Sequence, residues 1–425
     1  MDTQSFDMGA RGGWRTDCAG MGSGNALPPA SAKRRIEMVD LQFRFCLRAL
    51  GFVGSVALAG CGAAGGEGEG IATEHEPLVI TTCTGAAISA AVAAGGVVTL
   101  NCGSSPITIQ VPFTTVAHST QLSSAQPGTV TFTHLSTLFE VTSGATLSIN
   151  GISFDGTGHG STAIHADEIS TVQNVVLSNA VVSNYSGGLT FMIGGGSSLN
   201  VSNTTFQNNT GAGFASPIYG EGGHLTISNS TFFNNRNTSG QGGAITALGS
   251  SLNVNGCTFM SNVAAIGGAI YSTLAPVITN STFAFNTGTL QGGALSLLGG
   301  AQISNSTFVT NPSPTGTIRG TAQVSGSIIY DPTASSAPCS LTGSSNIQWP
   351  AVTPLCGPGF RFADPKLGAL ANNGGPTNTF ALLPGSAAID SLTGVCPSTD
   401  QRGVLRPRDG DGNGSFVCDV GAYER

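Results

Sequence analysis

Along the middle of the chain, apolar side chains alternate with polar ones in short runs, give way to asparagine and glycine, and then start again. Leu199 and Val201, Leu225 and Ile227, and Leu252 and Val254 stand two residues apart, and Ile278 and Ile303 continue the series. A period of two gives a strand with one buried face. Each run leads into a phenylalanine, at Phe206, Phe232, Phe259, Phe283 and Phe308, with spacings of 26, 27, 24 and 25 residues. Three residues after each stands an asparagine: Asn209, Asn235, Asn262, Asn286 and Asn311. Gly-Gly-Ala followed by Ile or Leu recurs at Gly242, Gly267 and Gly292. Fainter copies lie upstream, in "LSINGISFDG" from Leu147 and "VLSNAVVSN" from Val176, and "VSGSIIYD" from Val324 reads as a final coil.

A repeat of about 25 residues is the mark of a solenoid, too short for a propeller blade and without helical periodicity. The pattern predicts an all-β chain wound as a single-stranded, right-handed parallel β-helix, similar to the pectin-lyase-like fold, with right-handedness following from the crossover preference of parallel strands. Coils stack at about 4.8 Å, so like residues lie over like. The phenylalanines then form one internal stack, each contributing roughly 1.5–3 kcal/mol by burial. The asparagine column is assigned to a corner needing left-handed backbone angles, with the amides bonded along the axis, and Gly-Gly to the opposite corner. Cys257 replaces the Ser of "NSTF" and reads as a small buried side chain in the stack, not a reactive thiol. Asn203, Asn229, Asn280 and Asn305 match N-x-S/T but belong to the same repeating framework. "TGAAISAAVAAGG", Thr84 to Gly96, predicts a short helix that lids the first coil.

Composition adds an address. The 425 residues include 62 glycines, only 9 % are charged, and the net charge is −7. One region approaches the length of a membrane span, "FRFCLRALGFVGSVALAGC", ending at Cys61. Arg44 and Arg48 precede a short apolar stretch, Ala49 to Ala59, which fits a signal peptide. "LAGC" resembles a bacterial lipobox, which implies cleavage before Cys61, its lipidation, and a protein exported to the outer membrane or cell surface, with the membrane as a partner through that anchor. Residues 1–37 do not suit a signal peptide, and Met38 is the better initiator. The remaining cysteines include three neighbouring pairs, Cys83 with Cys102, Cys339 with Cys356, and Cys396 with Cys418, read as disulfides because each pair brackets a recognisable segment in an oxidising compartment.

F-x-x-N repeated five times with GGA[I/L] three times resembles the polymorphic outer-membrane protein repeat, over roughly residues 145–330. That family implies a surface-displayed β-helical adhesin, although its usual translocating barrel has no counterpart here. From Asp364 the chain reads "DPKLGALANNGGPTNTFALLPGSAAIDSL" and then "DQRGVLRPRDGDGNGSFVCDVGAYER". These stretches resemble the choice-of-anchor Q domain of bacterial surface proteins, a likeness that implies location more than activity. The organisation is therefore a signal segment with a spurious extension (1–60), a flexible tether (61–77), cap and first coils (78–145), repeats (146–335), a disulfide-bearing connector (336–363) and a small C-terminal β domain (364–425).

Candidate chemistry is sparse. "DGDGNG" resembles half of a calcium loop, with Asp409, Asp411 and Asn413 at alternate positions and Asp419 nearby as a further ligand for a structural Ca2+; the twelfth position is Val420, which excludes a complete EF-hand. Weighed against it is a polar glycine-rich turn between two short strands. No other cofactor is expected. Between Leu199 and Asn311 the only charged residues are Glu221 and Arg236, too few for a paired-carboxylate mechanism within the repeats. The alternative, a polysaccharide lyase or hydrolase, rests on Asp155, His159, Asp167 and Glu168, where "GHG" is similar to a polygalacturonase motif whose companions are missing. No basic face suits nucleic acid. The balance favours a non-catalytic adhesin touching polysaccharide or a host or matrix surface through a long Asn/Ser/Thr face.

Overall fold

A computed structural model describes residues 76–142, 144–158, 162–166, 173–186, 190–214, 216–332, 341–351 and 355–425. They lie within one compact unit, Ile71–Arg425. One coil shows how the sequence builds the fold. His224–Ser228 forms a strand with Leu225 and Ile227 turned inward and buried. The chain bends at Asn229 (φ 47°), runs through Thr231–Phe233 with Phe232 inward, and bends again at Asn234 (φ 52°). It continues as Arg236–Gln241 to Gly242 (φ 60°) and forms Ile245–Leu248 before Gly249 starts the next coil. A Cβ on Gly242 would lie 2.1 Å from the Ile245 carbonyl oxygen, and one on Gly243 2.1 Å from that of Gly268, so the Gly-Gly pair is a steric requirement.

Stacked coils make three long parallel sheets, of twelve, twelve and nine strands among the described residues. The first runs from Leu78–Ile80 to Thr342–Ser344, the second from Ile107–Gln110 to Phe360–Phe362, and the third from Thr114–Val116 to Ile318–Arg319. A smaller sheet of Arg236–Gln241, Val263–Ile266 and Thr287–Gln291 bridges the second and third in the central coils. The molecule is thus a right-handed parallel β-helix, with a ten-residue helix at its head. Register is residue on residue: Phe206, Phe232, Phe259, Phe283 and Phe308 are direct partners. Their rings stack at 4.9, 4.7, 4.7 and 4.8 Å with interplanar angles of 6° or less. Upstream, Phe132, Phe154 and Phe191 meet edge to face instead.

The asparagine ladder is inside, not at the corner. Asn209, Asn235, Asn262, Asn286 and Asn311 are all buried, and each Nδ2 donates to the next Oδ1 at 2.9 Å. Each Oδ1 also accepts the backbone N–H of the asparagine before it, and the second Nδ2 hydrogen reaches a carbonyl one coil back, as from Asn262 to Phe232. The left-handed angles belong to the residue just before: Asn208, Asn234, Ser261, Phe285 and Thr310. The sequence expectation placed both jobs on one residue. The fold divides them because an amide that must point inward to bond along the axis is set by the bend preceding it. The other bend is taken by Asn203, Asn229, Asn280 and Asn305, the N of each N-x-S/T match.

At the head, helix Gly85–Ala94 is capped by the Thr84 side chain, which accepts from the Ala87 N–H, and is ended by Gly95 (φ 82°). It buries Ile88, Ala91 and Val92 over the first coil, and the Cys83–Cys102 disulfide ties its flank. At the other end a correction is needed. Val324 does not begin the last coil, and 336–363 is not a mere connector. Thr342–Ser344 pairs with Gln323–Ser325, Asn346–Trp349 with Ile328–Tyr330, and Phe360–Phe362 with Asn346–Trp349. The repeat signature is lost there because Ile329 and then Gln348 stand in register where the stacked phenylalanine would be. Cys356 is disulfide-bonded, whereas Cys339 lies outside the described residues. The segment 364–425 holds one antiparallel hairpin, Leu367–Ala371 with Thr379–Leu382, and otherwise isolated bridges.

Asn262→Ala would strand the Asn235 N–H and Nδ2 and the Phe232 carbonyl, so it should destabilise the coil by several kcal/mol, at about 1–3 kcal/mol for each buried group left unpaired. Asn208→Ala, at a bend, should cost about 1 kcal/mol. Denaturant titration of the two variants against the parent checks the order.

Candidate functional site

The outward positions of the first sheet form a long regular surface. Its central column runs in register through Gln121, Ser148, Val176, Asn200, Thr226, Asn253, Val277, Gln302, Gln323 and Thr342. A parallel column carries Asn150, Ser178, Ser202, Ser228, Asn255, Thr279, Ser304, Ser325 and Ser344. None of the twelve strands contains Asp, Glu, Lys or Arg, and His224 is the single ionisable side chain. Hydrogen bonds along the axis hold some of these groups in place. Ser198 Oγ donates to Asn174 Oδ1 at 2.6 Å, Asn179 Nδ2 to Asn150 Oδ1 at 2.7 Å, and Ser304 Oγ to Thr279 Oγ1 at 3.3 Å.

Asp155 ends a strand of the second sheet. Its Oδ1 accepts from the Thr157 N–H, the Thr157 hydroxyl and Asn184 Nδ2. Burial pushes this carboxyl upward, but the hydrogen bonds from Thr157 and Asn184 outweigh it and hold the group below its usual range. A general acid needs the opposite shift. His159, Asp167 and Glu168, the other members of the alternative catalytic set, lie outside the described residues, as does Cys61. Cys257 is fully buried and free, its thiol pushed up to about 12 by burial, and it donates to the Asn255 carbonyl at 3.4 Å. It occupies one rung of a column in which Ser230, Ser281, Ser306 and Ser327 accept backbone N–H groups from the preceding coil. That column was visible only as the S of "NSTF".

In the "DGDGNG" loop, Asp409 Oδ1 accepts from Gly412 and Asn413 N–H and its Oδ2 from Gly414 N–H, while Asp411 accepts from Asn413. Arg408 and Val417 are bridged on either side. The carboxylates that converge within 4.8 Å are Asp390, Asp409 and Asp411, with Asp390 where the sequence reading had Asp419. Asp390 accepts the Gly410 and Asp411 N–H groups. Asp419 is buried and occupied elsewhere, accepting the Asp390 and Arg425 N–H groups at 2.7 Å. Three carboxylates suit a hard cation such as Ca2+, yet backbone donors already close this turn.

What the C-terminal motif does is hold the segment against the coil. Asp400 accepts from the backbone of Arg402, Val404 and Glu424 and from the Arg402 side chain. Arg406 donates to the Asp419 and Gly421 carbonyls and pairs with Glu424 at 3.2 Å. Between them Gln401, 2 % exposed, accepts from Thr282 and donates to Thr258 and Thr377. Thr377 donates to Gly256 O, Asn280 to Thr399 O, and Thr307 accepts the Ala422 N–H. The outward threonines of the second sheet are therefore buried at Thr258, Thr282 and Thr307, where the segment covers them, and only partly buried at Thr205 and Thr231, where it does not. Ile328 and Ile347 of the coil share a core with Ala388, Leu392 and Val420, and the Cys396–Cys418 disulfide closes the segment.

Gln401→Ala removes the bridging amide, so amide exchange in 377–425 should quicken at least tenfold while the coil stays protected, as read by hydrogen-exchange mass spectrometry. Burial pushes Asp419 up to about 7 and also raises Glu424. Carboxyls raised in the folded state bind protons that the unfolded chain has released, so stability should fall as pH rises from about 4 to about 7. Melting temperatures across that window test this, and Asp419→Asn should flatten the slope.

Residues 150–334 match the family described as right handed beta helix region, which covers the repeats and stops short of both the lid and the C-terminal segment. Among curated proteins no match to the chain is found.

Proposed function

We propose that this is an exported, lipid-anchored surface protein whose first sheet touches neutral glycan or matrix material without transforming it. The observation that carries the reading is the complete absence of Asp, Glu, Lys and Arg from twelve adjacent strands that present mainly hydroxyls and amides outward, with a few valines such as Val277. Such a face offers many weak, uncharged hydrogen bonds at a fixed spacing and gives no salt-dependent attraction to a polyanion. Its side chains are partly held by one another, which lowers the ordering cost of binding. The disulfides Cys83–Cys102 and Cys396–Cys418 suit an oxidising compartment, and the lipobox-like "LAGC" supplies the anchor at Cys61. A general-acid role for Asp155 is disfavoured, because its carboxyl is stabilised as the charged acceptor of a turn.

A panel of neutral and acidic polysaccharides, assayed for retention and for product release, is the direct test. Retention of a neutral polymer with no released oligosaccharide is expected, and the Asn200→Asp, Asn253→Asp double variant should weaken retention at least tenfold. Release of unsaturated or reducing fragments that disappears in Asp155→Asn would overturn the reading. For the anchor, mass spectrometry of the mature N-terminus should find an acylated Cys61; an unmodified one refutes lipidation.

A further inference from the structure

One cleft on the flank of the coil gathers aromatic and charged side chains together. It lies where the hairpin Leu367–Ala371/Thr379–Leu382 meets the second sheet, has a volume of about 400 Å³, and is lined by Phe285, Val309, Tyr330, Asp364, Lys366 and Phe380. Phe285 is the repeat's anomaly. It occupies the left-handed bend filled by Asn208 and Asn234 in earlier coils and by Ser261 and Thr310 in its neighbours. A bulky residue at φ 59° is costly, and such outliers collect at working sites. Its ring meets Phe380 edge to face at 6.4 Å yet remains 43 % exposed, so packing the hairpin does not consume it. Lys366 also has a positive φ (38°), held by the Asp364 carboxylate, which accepts its N–H at 2.8 Å. Neither the Lys366 ammonium nor the Tyr330 hydroxyl has a partner among the described residues.

We propose that this cleft is a binding subsite for one pyranose residue of a neutral glycan. A pyranose ring has an apolar C–H face and a rim of hydroxyls. The Phe285 ring offers a surface for the former, while Asp364, Lys366 and the Tyr330 hydroxyl supply an acceptor, a donor and a group able to do either for the latter. One carboxylate and one ammonium leave the cleft without net charge, so it has no long-range attraction for an acidic glycan. The inference rests on the glycan-contacting reading above and adds to it a place, separate from the first sheet, where a single residue is gripped.

The test uses the full chain and isothermal titration with cellohexaose, laminarihexaose, mannohexaose and hexagalacturonate. At least one neutral hexaose should bind, and Phe285→Asn, which installs the repeat's own residue, should weaken it at least tenfold with no fall in melting temperature. Lys366→Gln should weaken it about threefold. Equal hexaose binding by Phe285→Asn, or binding of hexagalacturonate alone, overturns the cleft. So does retention of a neutral polymer, lost on Asn200→Asp, Asn253→Asp, without any hexaose binding; that outcome leaves the first-sheet reading standing. Failure of the parent to bind both polymer and hexaose removes both.

Discussion

In the five central coils of this molecule the same place holds a buried amide that accepts from the coil before and donates to the coil after. The column from Asn209 to Asn311 does so with all of its donors and acceptors used. An amide buried with one partner missing would be a liability. The phenylalanine stack depends on it, since rings only 4.7 Å apart and nearly parallel require coils that neither slip nor tilt. The same registration gives the first sheet its even outer surface. Interior order and exterior regularity are consequences of one hydrogen-bond column.

Much of this was legible because solenoid repetition writes the same constraint several times. The 24–27-residue phenylalanine spacing, the GGA[I/L] bend and the lid helix are all properties of local sequence. What escaped was of two kinds. The division of labour between Asn234 and Asn235 could not be seen, since neighbouring asparagines look alike until one is turned inward. The extra coil at Thr342–Phe362 escaped because Ile329 and Gln348, both buried, take the place of the phenylalanine that marks the repeat.

The candidate sites were harder to read for a different reason. Gln401 has no signature, and its importance comes from Thr258 and Thr282, more than a hundred residues earlier, being brought beneath it. Likewise Phe285 reads in sequence as one more apolar residue after "STFA", and only the bend it occupies makes it unusual. Asp419, a natural choice for a metal ligand by spacing, is turned toward the backbone of Asp390 and Arg425 once the segment is folded. Long-range contacts, which spacing does not encode, decide all three.

The asparagine column has a further property: it is closed under insertion. A duplicated coil brings one donor set and one acceptor set, so it can be spliced between existing coils without leaving a group unmatched. The length of the β-helix can therefore drift by gene duplication in steps of one coil. That freedom has a boundary just before Gly256. Beyond it the C-terminal segment touches Gly256, Thr258, Thr282, Thr307 and Gly326 in fixed succession, and an added coil would throw those contacts out of step. The chain thus combines an extensible N-terminal stem with a C-terminal end of fixed dimensions.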